Sequence, residues 1–434
     1  MIAKSTIRKV VELQQKQISE VNAGVAREAL SALPYVTDKP LLIGGMRGSG
    51  RTVLLSQLIR GEYPDAYYVD FADPRLAGFG AAEARKLDEM VAESGKGVLI
   101  FDNADAMAGW HPYLKEKSAQ GSKVIASVSL GALRALGRRA AGAFEGGNSM
   151  EGSGAPAVRL SSAGYDESGF ITYRLGLLSY TEFLELSHKS ETGGEAMVND
   201  FMARGAFPDH IRSRRPEVLL QLYSEIILRD VILRNGIRDT DAVQQLALHL
   251  IANSGNFVSA NALRAKLGVK AVSSVAANMN LLEQAGLVGF VPLWSENPSA
   301  RAVNPRKVYA ADTALAQILT PSLADKTEKM FEIMLFQYLH SNGAPIYYTL
   351  AGGGCDFVVA GEEGQPAKLV QACYSGEHEP LHEKIAGLLA AMAATGLERG
   401  TVVTLNANDT LEYEEGLVEI VDADTFLGEE KNFY

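Results

Sequence analysis

Cysteine is almost absent from this chain of 434 residues, which carries only Cys355 and Cys373. Two thiols cannot build a disulfide framework or a cysteine-rich metal centre. Both are expected as small buried hydrophobes in a reducing compartment. Long apolar runs are missing as well. No stretch of about 18 residues is apolar enough to suggest a membrane span. The opening MIAKSTIRKVVELQQKQISE is amphipathic and charged, without the apolar core of a signal peptide. An excess of positive charge is also lacking. The net charge of −11 argues against a chain that coats nucleic acid along its length, although it leaves room for a local basic face. No internal repeat is visible. Hydrophobic residues at 47% and charged residues at 21% describe a folded, soluble protein, and the length calls for about two to four domains. A cytoplasmic multidomain protein that does not touch the membrane is expected.

What is present is concentrated in residues 41–56, LLIGGMRGSGRTVLLS. An apolar strand (Leu41, Leu42, Ile43) runs into a glycine-rich turn. The turn opens a helix whose apolar face is Val53, Leu54, Leu55 and Leu58. Gly45, four residues, then Gly50, Arg51 and Thr52 has the spacing of a phosphate-binding loop, with arginine where lysine belongs. Glycines let the backbone curl so that successive N–H groups face phosphate oxygens, and the helix N-terminus adds partial positive charge. The expected phosphate-binding residues are Gly45, Gly48, Ser49, Gly50, Arg51, Thr52 and Val53, with the Thr52 hydroxyl on Mg²⁺. Lysine is a compact point charge and arginine a planar fork, so the exchange alters the site.

The strand VLIFD, residues Val98–Asp102, reads as buried on both faces of a parallel sheet. Asp102 at its C-terminal end is placed to hold Mg²⁺ across from Thr52. The next residue, Asn103, stands at the position where AAA-type ATPases usually carry a glutamate that aligns or deprotonates the attacking water. An amide can position water but takes no proton, and loss of a general base costs about 10²–10⁴-fold in rate. Lys123–Ser129 is a further strand whose Ser127 or Ser129 can reach a γ-phosphate or simply end the strand in polar residues. Residues 138–157, rich in glycine and small side chains, read as a flexible surface loop. Residues 170–175 are expected as the last strand of this core. A helix follows with Ser179 as N-cap and Glu182 at the capping-box position.

These motifs in this order, with Trp110 after the aspartate strand, the strand VIASVS, the segment LGLLSYTEFLEL, the turn RGAFP at residues 204–208 and LRDV at 228–231, resemble a prokaryotic AAA-type ATPase family with a C-terminal DUF4143 domain. The resemblance covers nearly the whole chain. It implies an α/β fold: a P-loop NTPase core with a parallel sheet over residues 1–185, a helical linker over 186–241, a winged helix over 242–312 and a restriction-endonuclease-like domain over 313–434. ATP and Mg²⁺ are the implied cofactors. Arg204 and Arg229 are candidate arginine fingers on resemblance alone, and no adenine-contacting residue can be assigned.

Residues 242–312 support the winged helix independently, with three helices followed by two strands around a polar tip. Such a unit often reads DNA through its third helix, yet here that helix, VSSVAANMNLLEQA, has no lysine or arginine. Six basic and three acidic residues over the segment, led by Arg264, Lys266, Lys270, Arg301, Arg306 and Lys307, allow weak DNA binding or a protein contact. In the last domain the resemblance places Glu332, Asp356 and Gln371 on the nuclease pattern. Gly354 stands where that pattern has a glutamate, and Ala372 and Cys373 leave no lysine in its final motif. Metal-dependent phosphodiester cleavage needs clustered carboxylates and an activated water, so nuclease activity is not expected. The favoured expectation is an ATP-binding switch with weak or absent hydrolysis. The alternative is a non-catalytic regulator or scaffold that binds a protein or DNA without nucleotide.

Overall fold

The computed structural model describes residues 1–140, 163–165, 169–187, 193–295, 297, 301, 304–323, 326–341, 343–361, 364–375 and 378–429. The loop expected over residues 138–157 lies, beyond residue 140, outside them. The described residues divide into two compact units, the first up to residue 177 and the second beyond it.

The first unit runs α1 (Lys4–Glu20), α2 (Ala29–Ala32), β1 (Leu41–Gly45), α3 (Arg51–Gly61), β2 (Tyr67–Asp70), α4 (Ala81–Ser94), β3 (Val98–Asp102), α5 (Trp110–Ala119), β4 (Lys123–Ser129), α6 (Leu130–Ala140), β5 (Ala163–Tyr165) and β6 (Ile171–Leu175). The sheet order is β2-β3-β4-β1-β6-β5. The first five strands in that order are parallel, and only β5 pairs antiparallel, on β6. The α/β class expected from the sequence is the class observed. Side chains alternate along each strand, so one apolar run supplies two cores. Leu42, Leu99, Phe101, Val124 and Ala126 belong to one cluster, with α1, α4 and α5. Leu41, Ile43, Ile100 and Ile125 belong to the other, with Leu54, Leu55 and Leu58 of α3. Val53, expected on the apolar face of α3, is only half-buried, in the first turn of the helix.

The chain leaves β1 in the middle of the sheet and reaches β2 at its edge before returning through β3 and β4. The C-terminal ends of β1, β3 and β4 therefore meet around the start of α3, the place where open α/β sheets collect ligands. The free side of β2 is closed by α1: the Gln14 amide accepts from the Asp70 N–H at 3.0 Å and donates to the Asp70 carbonyl at 2.9 Å. A side chain thus stands in for a further strand at an otherwise open edge.

The second unit opens with α7 (Tyr180–Leu186), whose capping box is formed as the sequence predicts, Ser179 Oγ accepting from the Glu182 N–H and Glu182 accepting from the Ser179 N–H. α8 (Glu195–Arg204), α9 (Pro208–Ser213) and α10 (Pro216–Glu225) follow, and α10 runs on as a wide π turn over Ile226–Leu233. Next come α11 (Thr240–Ala252), β7 (Asn256–Val258), α12 (Ala260–Leu267), α13 (Val272–Ala285), β8 (Val288–Val291) and β9 (Arg306–Ala310). β9 pairs antiparallel with both β7 and β8. β7, three residues long, was not expected. The remainder is α14 (Thr313–Leu319), α15 (Thr327–Ser341), β10 (Ile346–Tyr347), β11 (Phe357–Ala360), β12 (Pro366–Ala372), α16 (His378–Thr395), β13 (Arg399–Thr404), β14 (Asp409–Tyr413), β15 (Gly416–Asp422) and α17 (Ala423–Gly428). Six of these strands form a mixed sheet in the order β10-β11-β12-β13-β15-β14. Apolar side chains on every side of α15, from Met330 to Leu339, bury it as the central helix of this unit.

A hairpin, β14–β15, follows β13 in the chain's last sheet. β14 is an edge strand with polar, exposed residues and carries no buried apolar signature, and the turn into β15 depends on Gly416 at φ 135°. The two cysteines meet expectation: both are free and buried, and burial pushes the Cys355 thiol up to about 12 and that of Cys373 to about 11.

Candidate functional site

The loop after β1 has the curl its glycines predict. Gly48 and Gly50 sit at φ 81° and 88°, a left-handed conformation that side chains rarely tolerate, and Gly50 is the N-cap of α3. A Cβ at Gly45 would lie 2.6 Å from Ser49 Oγ, so this position must also stay bare. Ser49 is fully buried, and its Oγ has no hydrogen-bond partner among the described residues; the same holds for Arg51 Nη1. Buried polar atoms are normally satisfied, and two orphans in one loop of this shape fit a phosphate-binding cradle.

Opposite the loop, Asp102 is fully buried at the end of β3 and gathers donors from three directions. Thr52 Oγ1 donates to its Oδ2 at 2.6 Å, and so does the Tyr68 hydroxyl at 3.1 Å. Ser127 Oγ and the Asn103 N–H donate to its Oδ1, the latter at 3.0 Å. The expected Thr52–Asp102 pair is therefore in contact. Of the two serines proposed on β4, Ser127 reaches the site, where it also accepts from the Asn103 N–H at 2.8 Å. Ser129 instead accepts from the Ala132 N–H in the first turn of α6.

Asn103 joins the two halves of the site. Its Oδ1 accepts from Arg51 Nη2 at 3.2 Å, and its Nδ2 donates to Asp70 Oδ1 at 2.9 Å. The two positions that depart from the usual pattern are bonded to each other. Asp70 ends β2 in register with Asp102 at the end of β3. Burial and the neighbouring Asp102 charge hold its carboxyl above the usual range, against the pull of the Asn103 amide. Burial and Asp102 likewise push the Tyr68 hydroxyl well above its ordinary value.

Sequence reasoning missed Asp70 and Tyr68, although YYVD and VLIFD end alike, and that parallel was the available signal. It also missed Arg27, for which no signal existed. Arg27 is buried; its Nη1 donates to the Ser49 carbonyl at 2.6 Å and its Nη2 to the Gly176 and Leu177 carbonyls at 3.2 and 3.4 Å. It anchors the loop to the chain beyond β6. Among the finger candidates, Arg204 is engaged within the second unit by Asp200, Ser187 Oγ and the Ile211 carbonyl, while Arg229 is exposed.

In the second unit the structure brings Glu332, Asp356 and Gln371 together. Gln371 accepts from the Asp356 N–H at 2.8 Å. The final motif has no lysine, as read from the sequence, but three lysines reach the acids from outside it. Lys307 donates to Asp356 Oδ1 at 2.7 Å and to Glu332 Oε1 at 3.1 Å. Lys384 donates to Asp356 Oδ2 at 2.9 Å, and Lys329 to Glu332 Oε2 at 2.9 Å. Lys307 and Lys384 come from β9 and α16, so no local motif announces them, whereas Lys329 is one helical turn before Glu332 on α15.

Two family models match parts of the chain. The first, an AAA domain, covers residues 37–144. The described residues of this stretch, 37–140, belong to an AAA-type P-loop ATPase-like domain. Within the AAA-type domain lie the loop, Asp102, Asn103 and Ser127. The second model, a domain of unknown function (DUF8612), covers residues 195–326, so the family matched beyond the AAA-type domain is a different one from the DUF4143 of the sequence resemblance. No curated protein matches the chain. Among solved structures, the Thermotoga maritima RuvB Holliday junction branch migration motor is 16% identical; the match covers 65% of this chain and 89% of that one at a TM-score of 0.28, too loose an overlay to carry weight. Among the described residues no helix is long and apolar enough to cross a membrane.

Proposed function

We propose that the AAA-type domain binds ATP with Mg²⁺ and acts as a nucleotide-dependent switch with weak or absent hydrolysis. The observation that carries this reading is the Arg51–Asn103 hydrogen bond beside two orphaned polar atoms in the loop. The loop, from Gly45 through Val53, would hold the phosphates, with Ser49 Oγ and Arg51 Nη1 finding partners there. Thr52 and Asp102 would hold Mg²⁺, whose charge neutralises the phosphate oxygens. Asn103 would orient a water and take no proton, so chemistry is slow while binding persists. A protein that binds ATP and barely turns it over holds one conformation for long periods, which suits a switch. Calorimetry with ATP and ADP, with and without Mg²⁺, tests it: binding that requires Mg²⁺ and is lost in Thr52→Ala supports the switch, and no binding at all overturns it.

One observation favours the second reading, a regulator that binds a partner without nucleotide: Asp102 already accepts four hydrogen bonds from the protein itself. The same titration separates the two. We further read residues 1–185 as the P-loop domain, 186–241 as a linker, 242–312 as a winged helix and 313–434 as a nuclease-like domain. The three helices α11 to α13 with the sheet β7-β9-β8 support the winged helix, and its third helix without basic residues favours weak DNA binding or a protein partner. The meeting of Glu332, Asp356 and Gln371 on a mixed sheet supports the last assignment. A cytoplasmic location follows from the same nucleotide-based reading.

A further inference from the structure

The buried centre of the second unit has two carboxylates and a cation already between them. Lys307 and Tyr309 are two apart on β9 and so face the same way; both reach Glu332 Oε1, Tyr309 at 2.6 Å. The second hydrogen bond from Lys307, to Asp356 Oδ1 at 2.7 Å, makes its Nζ the bridge between the acids. Glu332 and Asp356 are both under a tenth exposed, and Lys307 is little more so. Every carboxylate oxygen is occupied: the remaining two accept from Lys329 and from Lys384, and Asp356 Oδ2 also accepts weakly from the Ala372 N–H at 3.3 Å.

The metal implied by the nuclease resemblance does not fit this arrangement. A magnesium or manganese ion shared by the two acids would need oxygens at about 2.1 Å, in the space where the Lys307 ammonium stands. Among the described residues no group of three or more acidic, histidine or cysteine side chains is set to hold a metal. Removing a carboxylate, as Gly354 does, lowers the charge available to a divalent ion, and three lysines against the two remaining carboxylates leave the centre net positive.

We propose that the Lys307 ammonium takes the place of a divalent cation between Glu332 and Asp356, leaving a metal-free charge centre that fastens β9 to α15 and to the start of β11. The centre is then a structural clamp with the shape of a catalytic one. Burial alone would drive Lys307 to lose its proton; the Asp356 and Glu332 charges outweigh it and keep the ammonium charged.

The test uses the full chain, stripped of metal and free of nucleotide, titrated with MnCl₂ and followed by calorimetry and thermal unfolding. The natural protein and Asp356→Asn should give the same isotherm, because any Mn²⁺ they take lies elsewhere. Lys307→Met should gain one equivalent of bound Mn²⁺ and a rise in melting temperature on adding it, both abolished in Lys307→Met with Asp356→Asn. Lys307→Gln, which keeps hydrogen-bonding capacity, serves if the methionine variant is poorly folded. Variants that fold only when Mn²⁺ is added support the proposal equally. Binding in the natural protein that Asp356→Asn removes would overturn it. So would folded Lys307 variants that gain no site, or variants that stay unfolded with and without Mn²⁺.

Discussion

Replacing Arg51 by lysine should tighten ATP·Mg²⁺ binding by about tenfold. In the free protein the guanidinium is drawn toward β3 by its 3.2 Å hydrogen bond to Asn103 Oδ1. Nη1 can meet a phosphate with that bond intact, but turning the whole guanidinium to the phosphates, as a lysine brings its whole charge, breaks it. A hydrogen bond to a charged group contributes about 1.5–3 kcal/mol. At 3.2 Å this one belongs at the lower end, so about 1.5 kcal/mol is recovered when lysine, free of Asn103, brings its charge to the phosphates. Since about 1.4 kcal/mol is tenfold in affinity, the expected gain is one order of magnitude. Stability without nucleotide should change little, because the lysine loses the Asn103 bond but also removes the buried, unpartnered Nη1. Calorimetry on four proteins settles the matter: the natural sequence, Arg51→Lys, Asn103→Ala and the double variant. Asn103→Ala should itself tighten binding, and in its background the lysine effect should shrink to about twofold or less. Equal or weaker binding by Arg51→Lys, or a lysine gain unchanged in the Asn103→Ala background, refutes the reasoning and shows a loop adapted to arginine.

Three further outcomes are expected. Phosphate release by the natural sequence should be far below about 1 s⁻¹, the low end of ordinary enzymes, and should rise in Asn103→Glu only if the Arg51 loop already supports binding, the combination with Arg51→Lys serving as the comparison; turnover at or above that rate in the natural protein would make another carboxylate, Asp70 or Asp105, the base. The full chain should leave plasmid DNA intact with Mg²⁺ or Mn²⁺, and cutting that disappears in Asp356→Ala would restore the nuclease reading. Asp312, fully buried and accepting from the Leu315 and Ala206 N–H groups at 2.8 and 2.7 Å, has its carboxyl pushed up to about 6 by burial. A folded value above the unfolded one means that the unfolded chain releases the proton first as pH rises. Asp312 should therefore cost stability progressively between about pH 4 and pH 6, by about 3 kcal/mol over that window. Urea unfolding across the range should show this slope in the natural protein and not in Asp312→Asn; matching slopes would contradict it.

The nucleotide-site skeleton was legible because phosphate binding demands local chemistry in a fixed order. Gly45 to Thr52 and the aspartate ending VLIFD announce themselves, and both fall where the sheet order brings strand ends together. The supports were not legible. Arg27 acts from the segment before β1 on backbone carbonyls, and a carbonyl leaves no trace in the sequence. The charge centre failed in a different way. Glu332 and Asp356 could be found by pattern, and Lys329 stands one helical turn before Glu332 on α15, but Lys307 and Lys384 reach the acids from β9 and α16 through folding alone, so the cations that hold Asp356 were invisible. Edge strands were the other loss: β7 and β14 carry exposed residues, and β5 has three residues, so hydrophobic periodicity had nothing to register.

Asn103 sits at φ 48°, one of two non-glycine residues with a left-handed backbone among the described residues. Asparagine enters that region more readily than most side chains, because its short amide can bond locally. A glutamate placed there has no such help and costs about 1–2 kcal/mol in backbone strain. The sequence of repairs toward an active ATPase is therefore not interchangeable. Glutamate first would strain the backbone and trade the amide that holds Arg51 for a carboxylate beside Asp70, adding like charge where burial already disfavours it. Lysine first disturbs neither. The order in which substitutions could restore catalysis is thus set by a single backbone angle.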